Sequence, residues 1–131
     1  MTAVVLDASA SVELLLGTPA GERIRAQVPQ GADWWVPEHY FVEVAGALRR
    51  ALIRRAAPEA QILEAFARFA AAPLRRVQVR PLLPDAWRRR GNLTVADALY
   101  VALAEHLGAA LVTADLNLVR APGLTIATIH Q

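Results

Sequence analysis

Four acidic residues of this chain stand where the sequence changes character. Asp7 ends the apolar run Val4-Val5-Leu6, and Asp115 follows Ala110-Leu111-Val112-Thr113 at a distance of two residues. Asp97 lies three residues after Thr94, at the start of a strongly apolar segment. Glu43 lies inside a stretch patterned as a helix. Each has an ordinary structural use. Asp7 suits a helix cap and Asp115 a turn. Asp97 completes a capping box with Thr94 and meets the helix dipole favourably. Glu43 with downstream arginines fits a solvated helix face.

Gathered in one place, the four would do different chemistry. Four carboxylates carry about −4, and each like-charge pair about 4 Å apart costs on the order of 4 kcal/mol at an effective dielectric near 20. Without a counterion some of them must keep their protons. A hard divalent cation such as Mg²⁺ or Mn²⁺ takes oxygen ligands and removes that cost. His39, His106 and His130 are far apart in the sequence and read as surface or helix-end residues. The acids therefore lack the imidazole partners usual for zinc.

Glu43 is the most informative of the set. At about 100° per residue it shares a helix face with Gly46, Ala47, Arg50 and Arg54. An acid, a gap lined by small residues and two guanidinium groups match a metal ligand, room for substrate and a grip on phosphate.

The elements that must position these groups can be read from periodicity and punctuation. Val4-Val5-Leu6 is a short buried-type strand. Ser9 to Leu16 forms a helix stopped by Gly17, and Pro19 to Val28 a second, opened by Thr18 and Pro19. Trp34-Trp35-Val36 reads as a strand closed by Pro37. A helix runs from Pro37 to Arg55 with Phe41, Ala45, Leu48 and Leu52 inward. The next starts at Pro58 and stops before Pro73, with Ile62, Phe66 and Phe69 or Ala70 inward. Val77 and Val79 suggest a strand, and Leu82 to Arg90 a short helix. Thr94 to Leu107 is the clearest helix, capped by Thr94 and stopped by Gly108, with Val95, Ala98, Leu99, Ala102 and Leu103 as its packing stripe. Ala110 to Thr113 is a strand, and Leu124-Thr125-Ile126 a last one. Alternating strands and helices predict an α/β fold of three layers around a mostly parallel sheet. Functional groups in such sheets gather beyond the carboxyl ends of the strands, where Asp7 and Asp115 fall.

Composition sets the outer limits. The chain has 131 residues, 55% of them hydrophobic, which suits one domain over 1–131 with a real core. It has no cysteine, hence no disulfide framework, in keeping with a reducing cytoplasm. No apolar run is long enough to span a bilayer, and the first lacks the basic residues of a signal peptide. Net charge is only +2, but all 14 basic residues are Arg. Such a balance permits a nucleic-acid partner and equally reflects a GC-rich codon bias.

Val5-Leu6-Asp7-Ala8-Ser9, Glu43 in a helix after Val36-Pro37, Asn92-Leu93-Thr94-x-x-Asp97-Ala98-Leu99-Tyr100-Val101-Ala102-Leu103-Ala104, and Leu111-Val112-Thr113-Ala114-Asp115 follow one another in order. These segments resemble the PIN-domain family and the VapC-type ribonuclease toxins within it, over nearly the whole chain. The resemblance implies a PIN fold with Asp7, Glu43, Asp97 and Asp115 as the acidic quartet. Ser9 and Thr113 match supporting hydroxyl positions. Asn117 stands where many relatives carry a further polar or acidic group. It also implies Mg²⁺- or Mn²⁺-dependent endoribonuclease activity that leaves 5′-phosphate and 3′-hydroxyl ends. The implied partners are RNA, a second copy of the chain in a homodimer, and a VapB-type antitoxin whose C-terminal segment lies across the active site.

Other readings use the same residues differently. A PIN nuclease of RNA processing would need the same acids without an antitoxin. A phosphoacceptor receiver also gathers acids at strand ends, but this chain has no Lys. A non-catalytic binding or dimerisation module would tolerate loss of metal. The Arg88-Arg89-Arg90 run reads as a solvated surface before it reads as a phosphate contact. Of the adjacent Trp34 and Trp35, strand alternation sends one to each face. The 58–72 helix serves as core before it serves as an antitoxin groove.

Overall fold

A computed structural model describes residues 2–131. Five strands form one sheet: β1 (Ala3–Leu6), β2 (Asp33–Pro37), β3 (Arg75–Val77), β4 (Ala110–Val112) and β5 (Thr128–Ile129). Their spatial order is β3-β2-β1-β4-β5, and all four pairings are parallel. The helices are α1 (Ala8–Leu16), α2 (Pro19–Gln27), α3 (Tyr40–Ile53), α4 (Glu59–Ala71), α5 (Leu83–Arg88), α6 (Val95–Leu107) and α7 (Leu116–Val119). A 3₁₀ turn at Arg80–Leu82 leads into α5. None of these helices is long and apolar enough to cross a membrane.

The order of the strands decides where a site can form. From β1 the chain builds outward through β2 to β3, then returns to place β4 on the other side of β1. The crevice beyond the ends of β1 and β4 is thus a topological switch point. Leu6 pairs with Val112 in the last register position. The ladder extends one step further, where the Asp7 N–H donates to the Val112 carbonyl at 3.0 Å. The chain just after β1 and just after β4 is therefore held side by side.

The core follows from the short apolar strands. Val4, Val5 and Leu6 are all buried, so both faces of β1 are covered. On one side α6 lies against β1, β2 and β4, with α5 packed on it. On the other, α1 packs with α2, α3 and α4. Ala98 through Ala104 are buried without interruption, so α6 is enclosed all round at its centre rather than along one stripe. Thr94 caps it through the Asp97 N–H, and Gly108 stops it at φ +62°.

Several boundaries and faces differ from expectation. The final strand is Thr128–Ile129, not 124–126, because Leu111 and Val112 find their parallel partners there after the Gly123 turn. Helix α3 begins at Tyr40, since Pro37 completes β2 by pairing with Val77. Val79 lies outside β3. The buried face of α3 is Tyr40, Val44 and Leu48, with Leu52 exposed. On α4, Ala65 takes the inward place expected of Phe66, which is exposed but still touches Phe69 edge-on. Val95 is likewise exposed. Trp34 and Trp35 are both half-buried, and Arg75 lies over the Trp35 ring at 5.6 Å.

One glycine is fixed by a close approach. A Cβ on Gly21 would meet the Glu13 carbonyl oxygen at 2.2 Å and its carbon at 2.6 Å, both backbone atoms of α1. Alanine favours a helix interior by about 1 kcal/mol, but a clash with backbone costs more. Gly21→Ala is expected to destabilise the protein by about 2–3 kcal/mol in urea unfolding. An unchanged or raised midpoint would show that α1 and α2 are not held this closely.

Candidate active site

Each acid reaches the switch point from a different element. Asp7 follows β1 and caps α1: its Oδ1 accepts from the Ala10 N–H at 2.9 Å and the Ser9 hydroxyl at 2.7 Å. Asp115 follows β4 and caps α7, its Oδ1 accepting from the Asn117 and Leu118 N–H groups. Asp97 sits in the first turn of α6, and Glu43 in the first turn of α3. All four line one open cavity of about 700 Å³ with Ser9, Gly46, Ala47, Arg50 and Tyr100.

Two hydroxyls tie the strand ends together. Ser9 Oγ lies 3.3 Å from Thr113 Oγ1 and accepts from the Ala114 N–H at 3.0 Å. Thr113 Oγ1 accepts from the Asp115 N–H at 3.0 Å. Thr113 is fully buried, so it acts from behind the cavity wall rather than in it. Asn117 is exposed and reaches the site only through its backbone bond to Asp115. Arg50 lines the cavity; Arg54, one turn further along α3, is exposed and not part of its lining.

The structure adds residues that the sequence reading left aside. Tyr100, 1% exposed, donates its hydroxyl to Glu43 Oε1 at 2.6 Å. His39 stands at the N-terminal end of α3, as a helix-end residue, but is half-buried: its ring is 4.6 Å from that of Tyr100, and its Nε2 lies 2.9 Å from the Ala96 carbonyl. Glu13 brings a further carboxylate to the cavity and is bonded to the Thr18 hydroxyl. The signal for two of these was in the spacing. Tyr100 is at i+3 from Asp97 and His39 at i−4 from Glu43, the positions that share a helix face.

The electrostatics are those of acids held together out of water. Burial pushes the Asp7 carboxyl up to about 6; the Ala10 N–H and the Thr113 and Ser9 hydroxyls oppose the rise, and the charge of Asp97 adds to it. Asp97 is raised too, first by burial and then by Asp115 and Glu43, while its bond with Thr94 and the proximity of His39 pull the other way. Tyr100 is held firmly protonated by burial and by its bond to Glu43. Among the described residues no three His, Cys, Asp or Glu side chains close tightly round a common point. The carboxylates share a cavity without touching. The acidic donors that line the cavity offer only oxygen, and Arg50 is the one cationic side chain among the lining residues, which fits a hard divalent cation better than zinc.

Comparison with known proteins agrees with this architecture. The PIN domain model matches residues 4–124, and the chain belongs to the PIN-domain family. It is similar to Ribonuclease VapC12 of Mycobacterium tuberculosis, 42% identical over 120 residues and covering 92% of each chain. To Ribonuclease VapC3 of the same organism it is 40% identical over 119 residues, or 90% of this chain and 86% of that one. These matches place it with the VapC type. Among solved structures, VapBC2 from Rickettsia felis, crystallised with a DNA fragment from its promoter, superposes with a TM-score of 0.64 at 13% identity, covering 99% of this chain and all of that one. That likeness is one of fold.

The raised Asp7 has a consequence for stability in the absence of metal. The unfolded chain releases this proton near 3.8, the folded one near about 6. The folded state therefore loses stability as pH rises between those values, by about 3 kcal/mol for a shift of this size. Asn keeps the helix cap without the charge. In chelator, urea unfolding from about pH 4 to 7 is expected to show this loss in the wild type and a flatter profile in Asp7→Asn. Equal slopes would mean that Asp7 is not desolvated as described.

Proposed function

We propose that this chain is a Mg²⁺- or Mn²⁺-dependent endoribonuclease, the toxin of a VapBC-type pair, acting in the cytoplasm as one PIN domain over residues 1–131. The observation that carries the reading is the meeting of Asp7, Glu43, Asp97 and Asp115, from four elements, on one cavity that also contains Arg50. The relatives named ribonucleases over nine-tenths of the chain supply the reaction class.

In this reading Asp7, Asp97 and Asp115 hold the cation, and Glu43 either shares in holding it or orients the attacking water. The cation would lower the pKa of water and stabilise charge on the reacting phosphoryl group. The chain's own groups do the rest. Ser9 and Thr113 hold Asp7 and the Asp115 backbone in place. Tyr100 occupies Glu43 Oε1, which leaves the other oxygen to accept a proton from water. Arg50 binds a flanking phosphate. Water oxygen bonds to phosphorus as the P–O3′ bond breaks; the 3′ oxygen takes up a proton, leaving a 3′-hydroxyl and a 5′-phosphate.

VapBC-5 of Mycobacterium tuberculosis, whose fold is similar, is described as a member of the VapBC family of toxin–antitoxin systems. A VapB-type antitoxin segment across the carboxylates, and homodimerisation of the chain, belong to the same proposal. A second, mostly apolar groove of about 550 Å³ between α1, α4 and β2, with Arg25 and Arg68 on its rim, gives such a segment further room.

Asp7→Asn and Asp97→Asn are expected to lower RNA cleavage by about 100-fold or more while remaining folded by circular dichroism. Cleavage by either at the wild-type rate with Mg²⁺ would remove the acids from the mechanism. Arg50→Ala is expected to raise KM for RNA by about tenfold, the worth of one charged phosphate contact, with Mn²⁺ affinity unchanged. An unaltered KM would take Arg50 out of the substrate path.

A further inference from the structure

Two contacts cross between α3 and α6, and each stands beside an acid. His39 is one turn before Glu43 on α3, and its Nε2 lies 2.9 Å from the carbonyl of Ala96, the residue before Asp97. Because a carbonyl only accepts, Nε2 carries the hydrogen. Tyr100 is one turn after Asp97 on α6, and its hydroxyl donates to Glu43 Oε1 at 2.6 Å. The two rings lean on each other at 4.6 Å. Glu43 Oε1 lies 3.6 Å from His39 Nε2, too far for a hydrogen bond but close enough for the Nε2–H dipole to attract it. Two helices that meet at one end are thus bracketed on either side of the pair of acids they carry.

Neither contact is needed to satisfy the fold. Both helices already have their backbone bonds, and Thr94 caps α6. A Phe at position 100 would fill the same space among Ala98 to Ala104 without a hydroxyl to satisfy. The polar atoms are spent on the relative placement of Glu43 and the first turn of α6. His39 also keeps a buried Nδ1 with no hydrogen-bond partner, a cost that an apolar residue would avoid. A side chain retained at such a cost is explained by the one bond it does make.

We propose that Tyr100 and His39 are positioning residues that set the separation and orientation of the Glu43 and Asp97 carboxylates, and through them the affinity of the site for its cation. The proposal rests on the metal-dependent reading above. Tyr100 acts on Glu43 directly, by fixing one carboxylate oxygen. His39 acts on Asp97 through the backbone of Ala96, by fixing where α6 begins relative to α3. The acids supply the charge and this bracket supplies the geometry, as hydrogen bonds behind metal ligands generally do.

The test is a thermodynamic cycle read by calorimetric titration with Mn²⁺ alone. Tyr100→Phe is expected to weaken Mn²⁺ binding by about tenfold. In a Glu43→Ala background the same change is expected to have no further effect, because the acceptor is gone. His39→Gln, which keeps a side-chain N–H for Ala96, is expected to retain most of the affinity that His39→Leu loses. Thermal melts in chelator accompany each variant, since a purely structural role would lower the melting temperature and leave Mn²⁺ affinity alone. Equal weakening by Tyr100→Phe with and without the Glu43 carboxylate overturns the proposal, as does unaltered Mn²⁺ affinity in Tyr100→Phe. Failure of the wild type itself to bind Mn²⁺ at millimolar concentration overturns the metal reading on which the proposal rests, whereas wild-type binding with unaltered affinity in Tyr100→Phe overturns the proposal alone.

Discussion

The desolvation of Asp7 is the constraint on which the rest of this structure depends. It is 3% exposed, at the end of the central strand, in a cavity that Glu43, Asp97 and Asp115 also line. A carboxylate there can stay only if its charge is shared out. Ser9 and Ala10 supply two hydrogen bonds, and these only partly offset the cost of burial, which still pushes its proton affinity up. The remaining deficit is one that a bound cation would remove. An Asn at this position would keep the helix cap without the buried charge and would remove one of the four carboxylates from the cavity.

The topology makes that strained arrangement affordable. Only at a switch point do two neighbouring strands send their chains to opposite sides of the sheet and leave a gap between them. The Asp7 N–H bond to Val112 and the Ser9–Thr113 contact close the bottom of that gap. Helices α3 and α6 then bring Glu43 and Asp97 to its sides, each in a first helical turn where the backbone dipole favours negative charge. Helix ends, caps and strand ends all do double duty here. The cap that stabilises α1 is the acid at the centre of the cavity, and the cap that stabilises α7 is another.

Placement of the flanking residues follows the same logic. Gly46 and Ala47 keep the wall between Glu43 and Arg50 low, so that the carboxylates open towards a fixed positive charge across a passage rather than pairing with it. Arg54, a turn further on, lies past the edge of the cavity and in water. The basic run at 88–90 is occupied elsewhere: Arg88 pairs with Asp85, Arg89 with Glu105, and Arg90 lies over the Trp87 ring. Of the arginines, Arg50 is the one that lines the cavity.

The sequence by itself determined the elements and the residue types. Short β-branched strands, Thr18 and Thr94 as caps, and Gly17 and Gly108 as stops are local signals, because capping and chain reversal involve neighbours along the chain. Asp7, Asp97 and Asp115 were legible for the same reason, since each stands at the end of a strand or in the first turn of a helix; Glu43 was legible from the helix face that it shares with Gly46, Ala47 and Arg50. What only the tertiary structure decided was which atoms meet. The inward face of α3, expected at Phe41, Ala45, Leu48 and Leu52, keeps Leu48 but is otherwise Tyr40 and Val44, since burial depends on what packs against a helix as well as on its period. The last strand moved to Thr128–Ile129, where β4 offers register. Tyr100, far from Glu43 in the chain, became a neighbour of both Glu43 and His39 because α3 and α6 approach at their ends. Contacts between residues 57 apart, such as Tyr100 with Glu43, leave no periodic trace in the sequence; they exist only once the sheet has fixed where both helices begin.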